Sequence, residues 1–363
     1  MNTLILNVGS SSIKYSVFSG EKFLLGGNIP DIHEKSEYSL GIHAILNIIK
    51  KNNLKIHAIG HRIVHGGTTR KSKIISSSVL KTIKEYSEFA PVHNIPELIA
   101  VEECTKLFRV KQVAVFDTAF HSQIPEKAFI YGIPYKYYSK HGIRKYGFHG
   151  ISYQYSSEKA SQILKKPLKK LSMIICHLGH GCSICAIKNG KSIDTSMGLT
   201  PLEGLIMTNR SGDIDAGLIL HIMKKEKLSP EQMEKILNKK SGLLGISGIS
   251  DDMRVLLKSK NKRAKLAIDV FAYRIAKYIG SYITALNGAD AIVFTGGIGE
   301  NSAPVREKVL SYFNFLGLKI DNKKNKANAS IITKSSSKIK ALAVPTNEEL
   351  MIAKEVLRLC KKQ

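Results

Sequence analysis

LILNVGSSSIKYSVFSGEK, residues 4–22, reads as an apolar strand, a bend of Gly9-Ser10-Ser11-Ser12, and a second strand ending in a glycine turn. IICHLGHGCSICAIKNGKS, residues 174–192, repeats that plan. Without a gap, Asn7 falls on His177, Gly9 on Gly179, Val17 on Ile187 and Gly20 on Gly190. A bend rich in glycine and hydroxyls offers backbone N–H and side-chain donors to a phosphate, although the same residues also make a plain tight turn. A weaker echo links VAVFDT (113–118) with AIVFTG (291–296). Two halves that each open on a bent hairpin and later add a short buried strand predict a duplicated α/β protein. A cleft between the halves would let both bends face one ligand.

At 363 residues the chain exceeds the size of a single core, so two domains are expected, and a hydrophobic content of 43% fills them. No apolar run is long enough to span a bilayer, and the N-terminus lacks the features of a signal peptide. Five cysteines, an odd number, point to reduced thiols and a cytoplasmic location. The formal charge of +26 favours anionic partners. The lysines are scattered, however, and no basic block interleaved with aromatics occurs, so nucleic acid is not expected as a partner.

Helical patterns run through 41–51, 77–89, 229–240, 264–287 and 346–360. Ser229, Pro230 and Gln232 spell a capping box with proline at the first helical position. Residues 264–287 are apolar around much of the circumference and are expected to be buried. Asn347 caps the closing helix.

Several stretches carry chemistry. HRIVHGG (61–67) sets Arg62 among apolar residues, where a guanidinium is costly unless paired; its planar fork suits an ion pair, a phosphate or a carboxylate. VFDTAFH (115–121) puts Asp117 at a strand end, where α/β sheets bind ligands and where an aspartate also caps helices. His149 in RKYGFHGIS and Arg210 in TNRSGDID add an imidazole and a second guanidinium. Glycines in VFTGGIGEN (293–301) let backbone approach a flat ligand, and PTNEEL (345–350) places Glu348 and Glu349 at a helix start, as caps or with one of them a ligand to hydrated Mg²⁺. The His61/His65 pair and the CHLGHGCSIC cluster fit metal poorly, because neither lies in a helical pattern and Cys182 and Cys185 fall on opposite strand faces.

In order, NVGSSSIK, HRIVHGG, APVHN, VFDTAFH, RKYGFHG, CHLGHG, SMGLTPLEGL, NRSGDID, GGIGEN and PTNEE resemble the acetate kinases. That family belongs to the sugar-kinase, heat-shock-protein and actin superfamily. The resemblance implies two duplicated ribonuclease H-like, actin-type ATPase domains: 1–121 plus 350–363, and 122–349. It implies reversible phosphoryl transfer from ATP to acetate, giving acetyl phosphate and ADP, with Mg²⁺ or alternatively Mn²⁺. It also implies a homodimer formed through the second domain, with the 264–287 helix as its candidate interface.

Carried over by motif, Arg62 and Arg210 grip the carboxylate and the moving phosphoryl group. Asp117 orients an arginine or a metal-bound water, and His149 stabilises the transition state. Asn7 and Glu348 fall to the metal. Val64, Val92, His93, Phe148 and Pro201 line the carboxylate site. Lys14, His177, Gly179, His180, Gly181, Asp252, Met253, Arg254, Gly297, Ile298, Gly299 and Asn301 fall to the nucleotide.

Acetate is ionised at pH 7, with a pKa of ~4–5, so the nucleophile needs no general base; it needs relief from anion–anion repulsion. Four positions depart from the family pattern. His180 stands for Asn and, protonated near neutrality, would raise phosphate affinity at lower pH. Thr208-Asn209 replaces Gly-Thr, and Met253 replaces an aromatic residue. The alternatives are a propionate or butyrate kinase, and a nucleotide-binding protein of the same fold without transfer activity.

Overall fold

The computed structural model describes residues 1–361 apart from Ser10 and His33. Part of the first bend, Ser10, therefore lies outside the described residues. β1 (Asn2–Val8), buried along most of its length, the partly alternating β2 (Ile13–Ser19) and the largely exposed β3 (Lys22–Ile29) form an antiparallel meander. β4 (Ala58–Ile63) pairs parallel with β1. After the two-residue β5 (Lys73–Ile74), β6 (Lys111–Phe116) pairs parallel with β4, and the sheet order is β3-β2-β1-β4-β6-β5.

The second sheet follows the same path. β7 (Ser172–Leu178), β8 (Cys182–Lys188) and β9 (Lys191–Thr195) form a meander. β10 (Ala291–Thr295) and β11 (Lys340–Ala343) then add in parallel, giving β11-β10-β7-β8-β9. The duplicated α/β architecture expected from the sequence is present.

Two details of the expected repeat are corrected. Val8 pairs with Ile13 across the first bend, but Leu178 pairs with Cys182 across the second, which is one residue shorter. Beyond the bend the ungapped alignment therefore slips by one: Val17 corresponds to Ala186, and Gly20 to Asn189. The register shift between Val17 and Phe18 recurs between Ala186 and Ile187, the same place in each meander. Gly20 and Asn189 both take positive φ, 62° and 55°. The weaker echo is also mispaired. β10 neighbours β7 as β4 neighbours β1, so AIVFTG corresponds to the HRIVHGG strand, while β6 corresponds to β11.

Side-chain alternation sends Leu4, Leu6 and Val8 to one face of the first sheet and Ile5 to the other. The helices Lys35–Lys51 and Pro91–Leu107 cover the first face through Ile42, Ile45, Ile49, Ile99 and Ala100. Glu348–Cys360 covers the second through Met351, Ile352, Ala353 and Val356. Each fully buried Ile or Leu contributes roughly 1.5–3 kcal/mol relative to exposure, so these two faces dominate the stability of the unit. In the second sheet Lys262–Leu286 packs on β7 and β8 and buries Phe271, Ile275 and Ile279 along one face, while Leu266 and Tyr273 are exposed, so the helix is half-buried where its apolar circumference predicted burial. Ser229 Oγ accepts from Gln232 N, and the Gln232 side chain accepts from Ser229 N, so the capping box forms.

The chain divides into two compact units. The first comprises Met1–Ser122, Phe148–Tyr155 and the segment from Asn347 onward; the second comprises Gln123–Gly147 and Ser156–Thr346. The sequence expectation placed the divisions at 121/122 and 349/350 and assigned 148–155 to the second part. Among the described residues no helix is long and apolar enough to cross a membrane.

Candidate active site

β1, β4 and β6 run in parallel, so their C-terminal ends share one edge, the edge at which α/β sheets bind ligands. Asn7 lies near the end of β1, Arg62 near the end of β4, and Asp117 immediately after β6. Arg62 Nη1 donates to Asn7 Oδ1 at 3.1 Å and Nη2 to Asp117 Oδ2 at 2.6 Å. Arg62 Nε lies 3.6 Å from Glu348 Oε2. Glu348 begins the closing helix, where Asn347 Oδ1 caps Leu350 N at 2.9 Å. The structure thus brings Arg62, Asp117, Asn7 and Glu348 together at one strand edge.

This cluster sets one guanidinium against two buried carboxyls. Burial raises the pKa of Asp117; Arg62 opposes the rise and Glu348 adds to it. Burial also raises that of Glu348, against the pull of Arg62 and Lys14. Arg62 stays charged, because the two carboxyls outweigh its own desolvation. The excess of oxygen over positive charge fits a hard divalent cation, which takes one or two protein oxygens and keeps its waters and phosphate ligands. Among the described residues no group of three His, Cys, Asp or Glu could hold a metal alone.

The strand exit after Arg62 is fixed by side chains that sequence reading did not single out. Val64 N donates to Glu97 Oε2 at 3.1 Å, and Gly66 N to Thr118 Oγ1 at 3.1 Å. Asn94 accepts from His65 N and donates to the His65 and Ile83 carbonyls. Glu97 and Asn94 share a helix with Val92 and His93, so APVHN works largely as a brace. Val64 and Phe148 are buried, whereas Val92 is 57% exposed. His61, considered earlier for metal, is buried against Gln112 at 2.6 Å and its pKa is pushed down to about 4, chiefly by burial.

His149 takes a left-handed φ of 58°, an uncommon choice for a residue with a side chain. Gly150 follows it because a Cβ there would lie 2.0 Å from the Asp117 carbonyl oxygen. The GFHG motif is thus a close backbone crossing that fixes His149 and Asp117 in one unit.

In the second unit Arg210 has a different environment. Its Nη1 donates to the Pro201 carbonyl at 3.3 Å, and among the described residues no carboxylate pairs with it. Burial lowers its pKa. The loop carrying Pro201 is anchored by Glu203, which accepts from Lys145 Nζ at 2.8 Å and from the Tyr131 hydroxyl.

A cavity of about 640 Å³ is lined by Gly179, His180, Asp252, Met253, Arg254, Gly297, Ile298 and Asn301. All eight are in the nucleotide set read from the sequence. Of the rest of that set, Lys14 belongs to the first unit, His177 is buried near the end of β7, and Gly181 and Gly299 are not among the lining residues. Thr208, noted above as a departure, also lines the cavity, as do Asp251, Leu257, Ser302 and Pro304, which had not been singled out. His180 Nδ1 pairs with Thr208 Oγ1 at 2.9 Å, so two departures from the family pattern touch each other. Burial lowers the His180 pKa, Arg210 adds to the fall and Asp251 opposes it. That direction runs against a proton on His180 near neutrality, the condition on which a gain in phosphate affinity depended.

The short helix Gly296–Asn301 carries Gly297, Ile298 and Asn301 of the cavity wall. Glu300 Oε1 accepts from Gly296 N and Thr346 N, so Glu300 is a brace. Arg306, fully buried, donates to the Gly299 and Glu300 carbonyls at 2.8 and 2.7 Å. Nothing in the local sequence around Arg306 distinguishes it from a surface arginine of a helix.

The profile of the acetokinase family matches residues 19–354. The acetate kinase of Carboxydothermus hydrogenoformans is 48% identical over 394 residues, covering 99% of this chain and 99% of the relative. The crystal structure of Porphyromonas gingivalis acetate kinase matches with a TM-score of 0.93 at 38% identity, covering 99% of both chains. A crystal structure of a propionate kinase from Francisella tularensis matches with a TM-score of 0.92 at 40% identity, covering 98% of this chain and 99% of that one.

Proposed function

The chain belongs to the acetokinase family and acts as a phosphotransferase of the acetate kinase type, and on that premise we propose how its residues carry the reaction. ATP donates its terminal phosphoryl group to the carboxylate of acetate, giving acetyl phosphate and ADP. The carboxylate attacks in line and directly. It is already ionised, so no residue removes a proton from it, and positioning with charge stabilisation carries the rate. Arg62 binds the carboxylate, held in orientation by Asn7 and Asp117. Arg210, without a carboxylate partner among the described residues, keeps its charge for the phosphoryl oxygens. His149 donates to the same oxygens. Asn7 and Glu348 would hold Mg²⁺, or alternatively Mn²⁺, which when bound neutralises phosphate charge. Adenine enters the second unit's cavity beside Met253, whose thioether packs against a flat ring.

The observation that carries this reading is the Arg62 fork held between Asn7 and Asp117. Purified protein given ATP, Mg²⁺ and acetate should form acyl phosphate trapped as the hydroxamate. Full turnover in both Arg62→Ala and Arg210→Ala would sink the assignment of roles. Propionate is a second reading, supported by the similarity to the Francisella tularensis propionate kinase. One methylene is worth only ~1–3 kcal/mol in an apolar pocket, so kcat/KM on acetate, propionate and butyrate decides.

Homodimer formation and a cytoplasmic location belong to the same reading. The five cysteines are free thiols, as expected in a reducing compartment. For the dimer, the helix Lys262–Leu286 is a weaker candidate than first read, because most of its apolar residues serve the core of its own unit and only Leu266 and Tyr273 among its large ones are exposed. The helix Ala216–Glu226 has no buried residue and exposes Leu218 and Leu220, which suits a second copy of the chain. Sedimentation as a monomer at micromolar concentration would remove the dimer.

A further inference from the structure

Glu97 is only 1% exposed. One of its oxygens accepts from Val64 N at 3.1 Å; the other, Oε1, is buried without a hydrogen-bond partner. An anionic oxygen in that position is expensive, because burial without a partner costs far more for a charge than for a neutral group. The charged groups facing it are Arg62 on β4 and Asp117 after β6. His93 lies one turn earlier on its own helix. Arg62 already answers Asp117 and Glu348, so a third ionised carboxyl would go without a full partner.

We propose that Glu97 is a positioning residue of the carboxylate site: neutral, it holds the Val64 N–H and leaves the Arg62 charge to the substrate; ionised, it competes for that charge. The idea rests on the acetate kinase reading and deepens it. Burial pushes the Glu97 pKa up to about 8, with Val64 N and Arg62 opposing and Asp117 adding, so the neutral form prevails at pH 7. As pH rises past that value, a negative charge appears beside Arg62 and acetate binds less well. The nucleotide cavity lies in the other unit, so the effect falls on KM for acetate and not on KM for ATP.

The test measures KM for acetate and for ATP between pH 6.5 and 9.5 in wild type, Glu97→Gln and Glu97→Ala. Wild type should show a rise of at least about fivefold in KM for acetate across pH 8, since that is what a unit charge ~4 Å away costs even under full screening by bulk water. Glu97→Gln keeps an acceptor for Val64 N, cannot ionise, and should lose that rise. Glu97→Ala loses the anchor and should raise KM for acetate at every pH, with Gln restoring it. An alkaline rise equal to wild type in Glu97→Gln overturns the proposal, as does wild-type KM for acetate in Glu97→Ala. If Glu97→Ala does not fold, the Gln comparison decides alone. Wild type that makes no acyl phosphate at pH 7 would instead overturn the functional reading, a separate failure.

Discussion

Arg62 and Asp117 form a buried pair in which one oxygen does all the work: Nη2 meets Oδ2 at 2.6 Å, while Oδ1 is buried without a hydrogen-bond partner. Each group is costly to leave alone. Removing Arg62 strands a carboxylate that is 1% exposed, and breaking such a pair typically costs ~3–5 kcal/mol. Arg62→Ala should therefore lower both Tm and turnover, the latter by ~10²–10³ for one lost electrostatic contact. Calorimetry and kcat on the same preparation check this; an unchanged Tm would contradict the buried pairing.

Arg210 should behave differently. Its hydrogen bond goes to a backbone carbonyl at 3.3 Å, and it answers no carboxylate among the described residues. Arg210→Ala should cost about 1 kcal/mol of stability or less, the value of one ordinary hydrogen bond, yet lose ~10²–10³ in turnover. A Tm loss as large as that of Arg62→Ala would show a structural role instead.

Gly150→Ala forces a Cβ to within 2.0 Å of the Asp117 carbonyl oxygen. Backbone does not yield as a flexible side chain does, so a loss of ~1–3 kcal/mol or more is expected. Because the displaced segment carries His149 and Asp117, kcat should fall with Tm. Wild-type kcat in the alanine variant would show that the crossing is unrelated to catalysis.

His180 should be neutral at pH 7, since burial and Arg210 lower its pKa below the usual 6.5. Between pH 7 and 9 the ratio of ATP KM in wild type to that in His180→Asn should stay constant. Below pH 6.5, where the imidazole gains its proton, wild type should bind ATP better relative to the Asn variant. A change in that ratio centred above pH 7 would contradict the burial argument. Any shift here concerns ATP, whereas titration of Glu97 concerns acetate, so the two pH effects are separable.

Sequence alone determined what depends on near neighbours along the chain. The strand–bend–strand plan of 4–22 and 174–192 is set by apolar runs and turn chemistry, and the caps at Ser229 and Asn347 by side chains within three residues of their targets. The ordered motifs likewise pointed to the family and to Arg62, Asp117 and the glycines of the nucleotide cavity. Only the tertiary structure decided what depends on pairing across long separations. The shorter second bend shows in the register and not in the letters, because glycine spacing looks alike whichever residue is dropped. Which strands correspond follows from sheet order, since every buried parallel strand is a similar apolar run. Glu97 and Arg306 look like ordinary helix-surface residues in the sequence; packing buries them, and the loss of water makes their hydrogen bonds matter.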